Sequence, residues 1–139
     1  LEAADPYGLP EGWQWPEPVK LKAADDKTDI YGLVYRPPGF SPDRQYPVID
    51  FSSSVGRMAM MSQGSFNNAA NTDVVYLMSA AYAALGFIVV SIDGRGTPCR
   101  SKAFLDYGYG DPTKNNDLLI VFQACANLPN VILTWILIV

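Results

Sequence analysis

Apolar and polar side chains alternate along Val19-Lys20-Leu21-Lys22-Ala23, the pattern of a strand with one wet and one buried face. Ala24-Asp25-Asp26-Lys27 interrupts the alternation as a turn. Residues 28–36, with Ile30, Tyr31, Leu33, Val34 and Tyr35, then read as a second strand rich in β-formers. The pair predicts an antiparallel hairpin, ended by Pro37-Pro38-Gly39.

Past a polar loop at 41–45, the pattern changes. Residues 46–51 (YPVIDF) form a short apolar strand, and 52–64 a loop of serines, glycines and methionines. A helix follows, capped by Asn71 or Thr72 and running to about Leu85, with Tyr76, Leu77, Ala80, Ala81 and Ala84 at helical spacing. Gly86 suits the position just past its end. Residues 87–92 (FIVVSI) are continuously apolar, as expected of a strand covered on both faces, and Asp93-Gly94-Arg95-Gly96 is a sharp loop. Asp117 caps a second predicted helix to about Asn127, Leu128-Pro129-Asn130 breaks it, and 131–139 is a second fully apolar strand. A hairpin followed by helix–strand alternation predicts an α/β fold whose sheet is mostly parallel, with helices on its faces.

Composition sharpens this picture. The chain has 139 residues, a single domain's length, with 49% hydrophobic and 17% charged residues. A charged fraction below the usual ~25% points to extensive burial and away from disorder. A net charge of −4 offers no basic stripe for nucleic acid. Every charged side chain lies at or before Asp117. The uncharged stretch 118–139 has the length of a bilayer crossing, but Asn127, Pro129 and Asn130 split it into a buried helix and a buried strand. Residues 1–18, with Pro6, Pro10, Pro16 and Pro18, read as a lead-in or linker anchored by Trp13 and Trp15, and 19–139 as the folded unit. Residues 1–17 show no basic-then-apolar leader pattern, and a cytoplasmic, periplasmic or secreted setting all remain open.

The chain contains no histidine, which excludes a complete Ser-His-Asp or Cys-His triad, and any histidine metal site, within these residues. Cys99 and Cys125 are too few and too far apart for a zinc motif and read as buried thiols. Without a base in reach, the hydroxyls of Ser52, Ser53 and Ser54 are inert at neutral pH, and loop serines usually form turns. Met58, Met60 and Met61 read as core fillers. Asp93 stands at a strand end, as a ribose-binding acid would, but no GxGxxG precedes it. Asp93, Arg95 and Gly96 therefore read as a structural loop, with Arg95 fixing the turn through hydrogen bonds or an ion pair. Asp25 and Asp26 read as turn residues, Tyr31, Tyr35, Tyr76 and Tyr82 as packing residues, and Tyr107 and Tyr109 as exposed.

Two stretches carry a family resemblance. PEPVKLKAADDKTDIYGLVYRPPGFSPDRQYPVID at 16–50 resembles the opening of prolyl oligopeptidase-type catalytic domains. LGFIVVSIDGRGTPCRSKAF at 85–104 is similar to that family's Gly-Phe-x-Val-x-x-Asp-x-Arg-Gly strand and loop, closest to the dipeptidyl peptidase IV branch. From 111 onward only the spacing of helix, proline, turn and strand is kept. The resemblance implies an incomplete α/β-hydrolase fold: strand 131–139 would feed a nucleophile elbow, with serine, acid and histidine all following Val139. It implies a serine peptidase working through an acyl-enzyme, with no metal or organic cofactor and a propeller domain before residue 1. The chain alone is expected to be inactive.

The same resemblance places an oxyanion donor after the third strand, normally the tyrosine of a Tyr-Gly-Gly-Pro-like motif. Here the stretch reads Phe51-Ser52-Ser53-Ser54-Val55-Gly56, with Ser53 near the tyrosine position, so Ser52, Ser53 and Ser54 are the candidates for that loop. Alternatives are an esterase or acyl-peptide hydrolase of the same fold, and a non-catalytic binding or relic domain. Strand 131–139 is expected to be interior, its far edge met by further residues, a second chain or a swapped segment. The expected partners are that remainder and a peptide or ester substrate of the complete enzyme; neither nucleic acid nor membrane is expected.

Overall fold

The computed structural model describes residue 12 and residues 14–51, 72–97, 100–110 and 131–138. Its elements are β1 (Glu17–Lys22), β2 (Asp29–Tyr35), β3 (Tyr46–Asp50), α1 (Thr72–Ala84), β4 (Ile88–Asp93), α2 (Lys102–Leu105), a 3₁₀ turn (Asp106–Gly108) and β5 (Val131–Ile138). They build a five-stranded sheet in the order β1-β2-β4-β3-β5.

The hairpin forms as its pattern predicts: β1 and β2 are antiparallel, with Lys22 opposite Asp29 and Glu17 opposite Val34. β1 begins two residues before the predicted strand start at Val19, so Glu17 and Pro18 belong to the strand. A proline is tolerated there because β1 is an edge strand, where one side of the backbone needs no ladder partner.

β3 pairs in parallel with both β4 and β5, while β2 pairs antiparallel with β4. The sheet is thus evenly mixed among the described strands rather than mostly parallel. The hairpin docks against β4 and shares its sheet, so one of its antiparallel pairings is carried into the middle. β5 pairs with β3 and stands last in the order of the described strands. Pro47 sits within β3, where it has no N–H for the ladder. The β3–β5 register shifts between Pro47 and Val48, and the β3–β4 ladder starts only at Val48.

Side chains alternate between two cores. Ile30, Val34, Val48, Val90, Ile92 and Phe104 meet on one face. Tyr35, Ile49, Val89 and Ala83 of α1 meet on the other. Every β4 residue is buried, as the unbroken run FIVVSI predicts for a strand covered on both sides. Each fully buried aliphatic side chain contributes about 1.5–3 kcal/mol.

α1 turns a different stripe inward from the one its sequence predicts. Ser79, Ala80 and Ala83 are buried and Tyr76 half-buried, whereas Leu77, Ala81 and Ala84 are exposed. The helix is apolar nearly all round, so hydrophobic spacing alone does not select a face. The tyrosine at 76 does, by meeting Tyr35 edge-on at 5.9 Å between ring centroids. Its end behaves as predicted. Gly86 has φ of 100°, its N–H donates to the Ala83 carbonyl at 2.9 Å, and the Phe87 N–H donates to Tyr82 at 3.3 Å. This pair of bonds satisfies the last free carbonyls of the helix.

Tyr31 is not a packing residue. It is exposed on the edge hairpin, flanked by the Lys20 ammonium and the Arg100 guanidinium at 6.0 and 5.4 Å from its ring centre. Tyr35 is buried and Tyr76 and Tyr82 are partly so; Tyr107 and Tyr109 are exposed. The predicted helix at 117–127, the thiols Cys99 and Cys125, Trp13 and the methionines at 58, 60 and 61 lie outside the described residues. Among the described residues no helix is long and apolar enough to cross a membrane, and no cluster of acidic, thiol or imidazole groups could hold a metal ion.

Candidate functional site

Because β3, β4 and β5 run in parallel, their carboxyl ends share one edge of the sheet. In open α/β sheets that edge is where loops assemble ligand and reaction sites. β2 runs the other way beside β4, with Tyr31 opposite Asp93, so the β1–β2 turn is brought to the same edge. Three segments therefore converge there: the turn 23–28, residues 94–97 and 100–108 after β4, and the chain that leaves β3 at Phe51.

Charged and polar groups are buried at this edge despite the cost of desolvation. Asp50 at the end of β3 is 1% exposed, Asp93 at the end of β4 7%, and Arg95 5%. Arg95 Nη1 donates to Asp25 Oδ2 at 2.9 Å, and its guanidinium lies 3.7 Å from the Tyr107 ring centre. Asp25 is itself held by its own turn, accepting from the Lys27 and Thr28 N–H groups at 2.9 and 2.7 Å and from the Thr28 hydroxyl at 2.6 Å. Gly96, at φ of 104°, donates its N–H to the Phe104 carbonyl at 2.8 Å, closing the loop onto α2. Thr97 is buried, and its hydroxyl donates to the Gly94 carbonyl at 2.9 Å.

Two further residues, Ser101 and Arg100, complete this edge without being legible as site residues. Ser101 Oγ caps α2 by accepting the Phe104 N–H at 3.2 Å. A serine three residues before a buried phenylalanine is the signal that could have revealed this short helix. Arg100 Nη1 donates to the Asp29 carbonyl at 2.5 Å, and its guanidinium covers Phe104 at 4.2 Å. Nothing local in the sequence announces that contact. Of the sequence-derived candidates, Asp93, Arg95 and Gly96 fall together on this edge; Ser52, Ser53 and Ser54 lie outside the described residues.

The electrostatics are those of a pre-set ion-pair surface. The Thr28 hydroxyl, then the Thr28 and Lys27 N–H groups, and lastly Arg95, hold the Asp25 carboxyl well below the ordinary carboxylate range. Hydrogen bonds from Lys20 and Lys22 lower Asp29 to about 2. Burial, with the neighbouring Tyr76 adding to it, pushes the Tyr35 phenol up to about 12, against a lowering hydrogen bond with Ser79.

These shifts fix the pH dependence of folding. Both aspartates titrate lower folded than unfolded, so their stabilisation is complete above the unfolded value of 3.8 and fades as pH falls toward 2. Tyr35 titrates higher folded than unfolded, so its contribution is complete below 10 and fades as pH rises toward 12. With no histidine, the chain has no imidazole to titrate between these limits. Chemical-denaturation midpoints are expected to be flat from about pH 5 to 9 and to fall on both sides. Tyr35→Phe should remove on the order of 2 kcal/mol of the alkaline loss and leave the acid limb unchanged.

No protein-family model matches the chain. Solved structures do. A Bacteroides ovatus protein described as a "putative dipeptidyl aminopeptidase IV" superposes with a TM-score of 0.75 at 28% identity, over 99% of this chain and 19% of its own. The Porphyromonas gingivalis dipeptidyl peptidase 4 superposes with a TM-score of 0.66 at 23% identity, over 88% of this chain and 16% of its own. The structural neighbours are dipeptidyl peptidase IV-like proteins. The chain spans less than a fifth of the length of either, and the second likeness speaks to the fold alone. The fold, a mixed sheet with two short-to-medium helices, is that of a segment of such a dipeptidyl peptidase IV-like protein, and the resemblance drawn from residues 16–50 and 85–104 points the same way.

Proposed function

We propose that this chain is the N-terminal part of an α/β-hydrolase catalytic domain, in a serine peptidase of the prolyl oligopeptidase / dipeptidyl peptidase IV type. The observation that carries the reading is β5 pairing in parallel beside β3, in a chain that superposes on a dipeptidyl aminopeptidase IV-like protein over 99% of its residues. In an α/β-hydrolase, the strand in this place leads into the turn that presents the nucleophilic serine. The acid and histidine follow it in sequence, which agrees with a chain that has no histidine of its own.

In the complete enzyme the serine would attack the peptide carbonyl and the histidine would take its proton and pass it to the leaving amine. This chain would contribute the edge on which that happens. Residues 52–54, directly past the carboxyl end of β3, would supply a donor to the developing oxyanion, through the Ser53 hydroxyl or a backbone N–H. Asp93, Arg95 and Gly96 would frame the rim. Neither metal nor organic cofactor is needed for this chemistry.

The test compares a proline-containing dipeptide anilide with the matching ester, using the natural protein that carries this chain. Anilide hydrolysis that a fluorophosphonate blocks is expected, and the isolated chain of 139 residues should show none. Ester cleavage without anilide cleavage would make the protein an esterase of the same fold. Inertness toward both substrates and the fluorophosphonate would make it a non-catalytic relic.

A further inference from the structure

The segment after β4 has little to hold its own shape. α2 is four residues long and the 3₁₀ turn three. Helical turns this short are not stable alone. Phe104 anchors the segment in the core, and two arginines tie it to the hairpin, across 70 residues from Arg95 to Asp25 and 71 from Arg100 to Asp29. They are not equivalent. The Arg95 side chain is 6% exposed and meets a carboxylate, whereas Arg100 is exposed and donates to a carbonyl, with the Phe104 and Tyr31 rings beside it. Arg95 bonds to a carboxylate that three hydrogen bonds already immobilise, and it carries Tyr107 on its face. Its planar guanidinium can lie against the ring while its edge bonds to the carboxylate, a geometry that a lysine ammonium reproduces less closely.

We propose that Arg95 is a positioning residue that joins Asp25 to Tyr107 and so fixes residues 94–97 and 100–108 against the sheet, pre-organising the substrate-facing edge. The second half of this statement rests on the hydrolase reading above; the attachment itself does not. Arg95 acts through the segment it holds and is not required to touch the reacting atoms.

Hydrogen–deuterium exchange on the natural protein that carries this chain tests the attachment. The Gly96, Phe104 and Leu105 N–H groups are bonded within the segment and report its opening. In Arg95→Ala they should exchange about tenfold faster or more, while Val89 and Val90 in β4 stay as in the wild type. Arg95→Lys should recover part of the protection, and Arg100→Ala should change it less than about threefold. Unchanged exchange at the three reporters, or an equal rise throughout β4, overturns the proposal. Should Arg95→Ala fail to fold, Tyr107→Leu removes only the stacking and should still speed the reporters about threefold; no change there overturns it equally.

Kinetics of the natural protein on the dipeptide anilide test the positioning. Arg95→Ala should raise KM about tenfold with kcat within about threefold, and Arg95→Lys should restore part of the loss. An unaltered KM, or a loss confined to kcat, overturns the positioning role. A wild type that hydrolyses nothing while Arg95→Ala still loosens the three reporters would sink the hydrolase reading and with it the substrate-facing half, leaving the attachment established.

Discussion

Gly32→Val should lower the folding stability of the chain by about 3 kcal/mol or more, enough to unfold a domain of ordinary marginal stability. Gly32 sits in the middle of β2, opposite Ile92 of β4 and Val19 of β1. A Cβ placed there would lie 2.7 Å from Ile92 Cγ1, 2.8 Å from the Ser91 carbonyl oxygen and 3.3 Å from Val19 Cγ2. One of those atoms is backbone in a strand buried on both faces, so it cannot swing aside. Even Gly32→Ala should cost about 1–3 kcal/mol. Gly39 is the control: a Cβ meets nothing within 4 Å there, but φ is 67°, so Gly39→Ala should cost only the backbone strain of about 1–2 kcal/mol. Urea denaturation of the three variants gives the ranking directly, and Gly32→Val as stable as Gly39→Ala would contradict the close approach of β2 to β4.

Ile92→Ala should cost about 2–5 kcal/mol, because Ile92 is 1% exposed and joins the core that Ile30, Val34, Val48, Val90 and Phe104 form. The two substitutions should also couple. Ile92→Ala removes the Cγ1 atom that the new Cβ at position 32 would strike, so Gly32→Ala with Ile92→Ala should be less destabilised than the two single losses combined. The Ser91 carbonyl still obstructs the Cβ, so the rescue should be partial. Simple additivity in a double-mutant cycle would show that β2 and β4 are not in register as Gly32 opposite Ile92.

Where the sequence carried a strong period, the structure follows it. Alternation in 19–23 and the turn at Ala24-Asp25-Asp26-Lys27 gave the hairpin, and the unbroken apolar run ending at Ile92 gave a strand covered on both faces. Gly86 ended α1 because a residue just past a helix end needs a positive φ. The face of α1 was not legible, since Leu77, Ala81 and Ala84 are as apolar as the residues that do face inward. Nor was the balance of the sheet, because a hairpin's docking against β4 is a long-range choice that no local pattern encodes. The site shows the same division. Asp93, Arg95 and Gly96 stood out because a charged loop follows an apolar strand directly. Asp25, Arg100 and Tyr107 did not, because each meets its partner only through the fold; Asp25 and Arg95 are 70 residues apart.

In the hydrolase reading, the edge formed by β3, β4 and β5 serves catalysis because a reactive serine stands just beyond it. Labelling the natural protein with a fluorophosphonate and mapping the modified peptide tests this most directly. The hydrolase reading predicts one labelled serine, on the turn that follows the β5 strand and therefore after Val139, and none at Ser52, Ser53 or Ser54. A label on one of those three serines, or no label on any serine of the folded protein, would contradict it.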